Sequence, residues 1–196
     1  MAEPRTARVE AQRKRILDAA QSCFIERGFH GASMANIAET ADMSAGLIYR
    51  YFENKSAIIL AIVEEQLVLL REEISLNDRP DMPKLIADNY ARSCDTRHGM
   101  NAALLLEISA EATRDPQIAA ALDDYDATVR QALRDWLVRD AESGGHGLPA
   151  DLAPRRALML QCLFEGLKLR ETREPGLDRG LLLAALQDVM PGILKP

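Results

Sequence analysis

The sequence predicts an all-α protein of about nine helices, and three observations carry that prediction. Apolar residues recur at three- and four-residue spacing through most of the 196 residues, and strand-like alternation never persists. Prolines gather where one periodic segment stops and the next begins. Few glycines fall inside a periodic segment. The length suits one small domain plus one of medium size, and 47% hydrophobic with 28% charged residues is an ordinary globular composition.

The elements follow in order. A first helix is expected from Arg8 to Arg27, with Ile16, Leu17, Ala20, Cys23 and Phe24 on one face and Gly28 at its C-terminal cap. Ser33 is placed to cap a short second helix, Met34 to Ala41. Asp42-Met43-Ser44 make a tight turn, and Ser44 caps a third helix, Ala45 to Phe52. Asn54 caps a long fourth helix, Lys55 to about Ile74, whose face carries Ile58, Ile59, Ile62, Gln66, Leu69 and Leu70. Ser75 to Pro83 is a break. Further helices are expected at about 83–96, 99–113 and 116–142, followed by a loop over Glu142 to Pro149. Two last helices, about 151–172 and 178–191, are divided by Pro175-Gly176. Neither an internal repeat nor a low-complexity segment is visible.

Charge is unevenly spread. The formal net charge is −6, yet residues 1–55 hold eight Lys/Arg against seven Asp/Glu, and the remainder sixteen against twenty-three. Arg5, Arg8, Arg13, Lys14 and Arg15 face only Glu3 and Glu10 at the start of the chain. A polyanion needs such a local positive surface, not a positive total. Cys23, Cys94 and Cys162 have no ligand spacing and read as small buried hydrophobes in a reducing compartment. His30, His98 and His146 each adjoin a glycine and read as solvated loop residues. No metal and no cofactor is called for. No apolar run reaches the roughly 18 residues of a membrane span, and the start lacks the apolar stretch of a signal peptide. A cytoplasmic address is the expectation.

The informative feature is the trio of short helices in the first fifty residues. Two short helices around a tight turn make a helix-turn-helix. Ile37, Ala38, Met43, Ile48 and Phe52 can form its small core, with Ala38 small where the helices cross. The opposite face of the third helix carries Ser44, Gly46, Leu47, Tyr49, Arg50 and Tyr51. Aromatic, hydroxyl and cationic groups together suit the major groove of DNA and its flanking phosphates. The bland alternative packs Tyr49 and Tyr51 against the first helix.

The run ILDAA, then Phe24, Gly28, Ser33, Ile37-Ala38, Ser44, Gly46, Tyr49, Phe52 and Lys55, resembles the DNA-binding domain of the TetR (tetracycline-repressor-like) family over residues 10–70. Two positions depart from it. Asp42 stands where glycine is usual, although Asp tolerates a left-handed backbone. Asn36 replaces the residue that would complete a capping box, leaving Ser33 a weaker cap or its hydroxyl freer for a phosphate. The resemblance implies that Ser33 and the start of the second helix touch a phosphate. It implies that Ser44, Ala45, Gly46 and Leu47 enter the groove, with Arg50 on the same exposed face. It places Tyr49 and Lys55 on flanking phosphates, and Tyr51 at a base edge or sugar wall. A side chain at Gly46 would keep the helix from seating.

Residues 75–196 carry no nameable motif. The resemblance implies that they form an effector-binding and dimerisation domain, joined to the helix-turn-helix by the long fourth helix. The expected dimer surface is Leu158, Cys162, Gly166 and Leu169 on one terminal helix and Leu182, Ala185, Leu186 and Val189 on the other, two helices per subunit making a four-helix bundle. The candidate pocket for a small apolar or aromatic effector is Met100, Leu104 and Ile108 with Leu122, Tyr125, Val129, Leu133 and Trp136, closed by Met159 and Phe164. Any helical core needs the same residues, so core alone is the competing account. Asn101 and Glu107 are candidate polar anchors, or solvated. The functional expectation is a homodimeric repressor on a palindromic double-stranded operator, released by that effector. A helical enzyme is disfavoured because no nucleophile–base–acid set, metal spacing or phosphate loop occurs. A ligand-free structural dimer or adaptor is the third reading.

Overall fold

The computed structural model describes residues 5–74, 81–92 and 102–195, without the side chains of 5, 6, 69–74, 89, 91 and 92. Among these residues the regular structure is helical: α1 (Arg5–Gly31), α2 (Met34–Thr40), α3 (Ala45–Ile48), α4 (Lys55–Ile74), α5 (Met82–Arg92), α6 (Ala102–Ala112), α7 (Pro116–Val138), α8 (Ala153–Arg173) and α9 (Arg179–Leu194), with one 3-10 turn at Ala141–Ser143. Among the described residues the expected all-α architecture of nine helices is what forms.

Several ends differ from expectation for local reasons. Gly28 takes φ 70° and ψ 164°, so it breaks α1, and a further turn follows it. α3 stops at Ile48 because the chain tightens into i→i+3 bonds: Arg50 N–H reaches the Leu47 carbonyl at 3.2 Å and Tyr51 N–H the Ile48 carbonyl at 2.8 Å. α7 stops at Val138 because the glycine-rich loop folds back on it. Gly147 and Leu148 N–H groups donate to the Arg139 and Leu137 carbonyls at 2.8 and 2.9 Å. A Cβ at Gly145 would lie 2.0 Å from the Arg139 carbonyl oxygen, so that position requires glycine.

The chain divides into two compact units. The first comprises residues up to Gln66 together with Ala103–Asp123; the second comprises Leu67–Ala102 and Asp124 onward. By contact, α6 packs with the helix-turn-helix, and the division between the compact units falls within α4 and α7. In the first unit Ile16, Phe24, Ile37, Ile48, Ile58, Ile62, Leu104, Ile108 and Ile118 are almost wholly buried. In the second, Ile86, Ala87 and Tyr90 of α5 join Ala157 and Leu160 of α8 and Leu182, Leu186, Met190 and Ile193 of α9 in one apolar cluster. Each such side chain contributes roughly 1.5–3 kcal/mol on burial. None of the helices is long and apolar enough to cross a membrane among the described residues.

Candidate nucleic-acid interface

The helix-turn-helix is assembled by caps and ties. Ser33 caps α2 by accepting from Asn36 N–H at 3.1 Å. Asn36 Oδ1 in turn accepts from Ser33 N–H at 3.0 Å and from the Ser33 hydroxyl at 2.6 Å. Asn36 thus completes the capping box it was expected to weaken, and the Ser33 hydroxyl gives its proton to Asn36. α2 ends in a turn through Asp42, which adopts φ 51° as the expected left-handed residue. Ser44 caps α3 through Leu47 N–H at 3.3 Å, and Asn54 caps α4 through Ala57 N–H at 2.9 Å. Ile37, Ala38, Ile48 and Phe52 are buried as the small core, with Met43 half-buried beside them.

Long helices then hold the short ones. Arg15 of α1 donates to the Ala41 carbonyl at 2.6 Å, fixing the end of α2. The Arg13 guanidinium lies 4.7 Å from the Phe52 ring centroid. Lys55 donates to the carbonyls of Phe29 and Ala32, the latter at 2.7 Å, and sits 4.4 Å from the Phe29 ring centroid. Burial pushes the Lys55 ammonium below its ordinary pKa, and the charge of Glu111 partly opposes that. The pKa of Lys14 is raised: burial lowers it, but Glu65 and Asp18 more than reverse this.

Of the predicted contact residues, Ser44, Ala45, Gly46, Tyr49 and Arg50 form one exposed surface with half-buried Leu47. Two others turn inward. The Tyr51 hydroxyl donates to Gln12 Oε1 of α1, while Tyr49 is 56% exposed. Lys55 has two of its three donors engaged by the protein itself, because the turn after α1 leaves carbonyls without helical partners. The sequence missed Arg15 and Glu107 as ties; nothing in helical periodicity marks a side chain that reaches a distant backbone group.

The C-terminal candidates divide between the two units. Leu104 and Ile108 are core residues of the first unit, whereas Tyr125, Val129, Trp136 and Phe164 are half-buried in the second and Met159 is 55% exposed; Met100 lies outside the described residues. Glu107 is no free anchor: its carboxylate accepts from Phe29 N–H at 2.7 Å. Leu158, Cys162 and Gly166 are exposed along α8, with Leu169 half-buried. On α9, Ala185 and Val189 are exposed, but Leu182 and Leu186 face the second unit's core. Cys162 is exposed where a buried thiol was expected, Cys23 is buried, and Cys94 is outside the described residues. His146 is not loosely solvated but packs edge-on to Trp136 at 4.5 Å, and exposed His30 pairs with Glu111 at 3.2 Å; His98 lies outside the described residues.

Comparison with known proteins converges on the same assignment. Residues 16–62 match the bacterial regulatory proteins of the tetR family, and residues 84–195 match the C-terminal domain of BetI-type transcriptional repressors. The chain belongs to the TetR family. It is similar to the HTH-type transcriptional regulator UidR of Escherichia coli strain K12, at 36% identity over 146 residues, covering 71% of this chain and 72% of UidR. It also matches the HTH-type transcriptional repressor AcnR of Corynebacterium efficiens at 28% identity over 132 residues, 67% of each chain. Its fold is similar to that of Salmonella enterica GusR, with a TM-score of 0.74, 27% identity, and coverage of 99% of this chain and 98% of that one. As a TetR-family member the chain is a DNA-binding transcriptional regulator and not an enzyme.

Proposed function

We propose that this TetR-family chain acts in the cytoplasm as a homodimeric repressor of a palindromic operator, with α3 seated in the major groove. The single observation that carries the reading is the outward surface of α3. Ser44, Ala45, Gly46 and Leu47 meet base edges, and Tyr49 and Arg50 reach the flanking phosphates. Tyr51 and Lys55 hold that surface in shape. The backbone at the start of α2 supplies a further phosphate contact. Gly46 supports this directly. A Cβ there would meet nothing within 4 Å, so the protein's own packing does not require glycine. Helix propensity would favour alanine, by up to about 1 kcal/mol. The proposed role of glycine here is close approach to the groove, which a side chain would oppose.

Dimerisation through α8 and α9 is supported by their exposed apolar residues: Leu158, Met159 and Cys162 on one, Leu181, Ala185 and Val189 on the other. The half-buried Tyr125, Trp136 and Phe164 favour a small apolar or aromatic effector bound in the C-terminal part, with a coupling of about 1–3 kcal/mol between effector and operator.

The test selects duplexes from a random library with the full chain and then compares Gly46→Ala. We expect a near-palindromic site with half-sites about 34 Å apart, or a multiple of that. The variant should bind at least 10-fold more weakly while melting at the same or a higher temperature. Selection of no duplex, or unchanged affinity in the alanine variant, would refute the interface. The selected duplex also serves to screen apolar and aromatic compounds for release, with Trp136 fluorescence as the binding signal.

A further inference from the structure

The turn between α1 and α2 is gripped from three directions at one residue. Gly28 breaks the helix with its positive φ, and the next N–H, that of Phe29, finds its acceptor in Glu107 Oε2 at 2.7 Å, 78 residues away on α6. The Phe29 carbonyl accepts from Lys55 of α4. The Phe29 ring is buried beneath that ammonium and lies 5.4 Å from the Phe24 ring. One helical turn along α6, Glu111 pairs with His30 at 3.2 Å, so consecutive turns of α6 hold consecutive residues of the break. Ser33, the N-cap of α2, follows four residues after Phe29.

We infer that Glu107 is a positioning residue for DNA binding: its carboxylate fixes the α1–α2 turn through the Phe29 N–H, and thereby sets where α2 and α3 stand. It rests on the assignment of α2 and α3 to the DNA face. The chemistry suits the task. A carboxylate is an acceptor only, and its bond to a backbone N–H is about twice as strong as a neutral one. The positive φ of Gly28 favours glycine, and the Glu107 carboxylate lies in ordinary contact distance, 3.4 Å, of where a Cβ would stand. Glu107 lies within residues 84–195 and Phe29 within 16–62, so this hydrogen bond joins the two family-matched segments inside the first unit.

The experiment uses the full chain and the duplex that the wild-type protein selects. Glu107→Ala should weaken binding about 10-fold or more. The slope of log Kd against log salt should be unchanged, because no phosphate contact is lost. Amide exchange at Phe29 should accelerate selectively. Glu107→Gln, which keeps an acceptor oxygen but makes a neutral bond about half as strong, should restore part of the affinity. A bulk stabilising role would lower the unfolding midpoint without moving the affinity of the folded protein. Should the alanine variant not fold, Glu107→Asp keeps the charge but falls one methylene short, and it must show the same loss in smaller measure. A folded alanine variant that binds within twofold of wild type overturns the inference. So does a glutamine variant as impaired as alanine, which would assign the effect to charge instead of the hydrogen bond. If the wild-type chain selects no duplex, the DNA-face assignment fails and takes this inference with it. A selected duplex that Glu107→Ala binds normally sinks the inference alone.

Discussion

The short helices of the first unit and the long helices of the second are held in place by different physics. In the second, α5, α8 and α9 are 11, 21 and 16 residues long and share one apolar cluster. In the first, α2 has seven residues and buries Ile37 and Ala38, while α3 has four and buries Ile48. Ordering four residues costs about 4–8 kcal/mol of backbone entropy. One buried isoleucine returns roughly 1.5–3 kcal/mol. Apolar burial by α3 does not offset its own ordering, so its placement depends on caps and on long side chains aimed at loop backbone: Arg15 on Ala41, Lys55 on Phe29 and Ala32, Glu107 on Phe29. On the proposed assignment α3 presents its polar face to DNA, which leaves little apolar surface for anchoring, and charged ties from neighbouring helices take over that work.

The largest expected effect comes from the apolar side of this contrast. Leu160→Ala removes a wholly buried side chain from the centre of the second unit's cluster. Chemical denaturation should show a loss of about 2–5 kcal/mol. A loss below about 1 kcal/mol would mean that the cluster collapses around the gap, and the second unit would not depend on tight packing as argued.

Lys55→Ala tests the polar side and should cost less, about 1.5–3 kcal/mol, since it removes charge-assisted bonds and leaves two carbonyls to water. Operator affinity should fall alike for every duplex, with the salt slope unchanged. A slope smaller by about 0.9 would put this ammonium on a phosphate after all, as the family resemblance implies.

What was legible in the sequence follows the same divide. Periodicity exposed the buried faces of α1 and α4, and short-range cap chemistry at Ser33, Ser44 and Asn54 marked helix starts, because both are encoded within a few residues. The exposed surface of α3 was readable for the same reason. The intramolecular partners of Tyr51 and Lys55 were not, since Gln12 and Phe29 are 39 and 26 residues away and one of them accepts through its backbone. On α9, Ala185 and Val189 are exposed with Leu181, while Leu182 and Leu186 turn inward, a division that an all-apolar stretch such as GLLLAAL cannot reveal by pattern. The packing of α6 beside the helix-turn-helix was not legible, because sequence order says nothing of docking.

The smallest expected effect sharpens the contrast at one residue. Asp42 ends α2 with φ 51°, while Met43 N–H closes back on the Ala38 carbonyl at 2.9 Å and Arg15 holds the adjacent Ala41 carbonyl. A left-handed residue with a Cβ costs roughly 1–2 kcal/mol, and less for Asp, whose short polar side chain can bond locally. Glycine removes that strain but adds about 0.5–1 kcal/mol of unfolded-chain entropy. Asp42→Gly should therefore gain between about 0 and 1 kcal/mol, while Asp42→Ala should lose about 1 kcal/mol, both read as shifts in thermal midpoint. Because the turn backbone is the same with glycine, operator affinity should not change in that variant. A glycine variant that melts lower than wild type would show that the Asp42 carboxylate itself stabilises the turn. The polar ties of the first unit would then extend to a residue assigned here by backbone conformation alone.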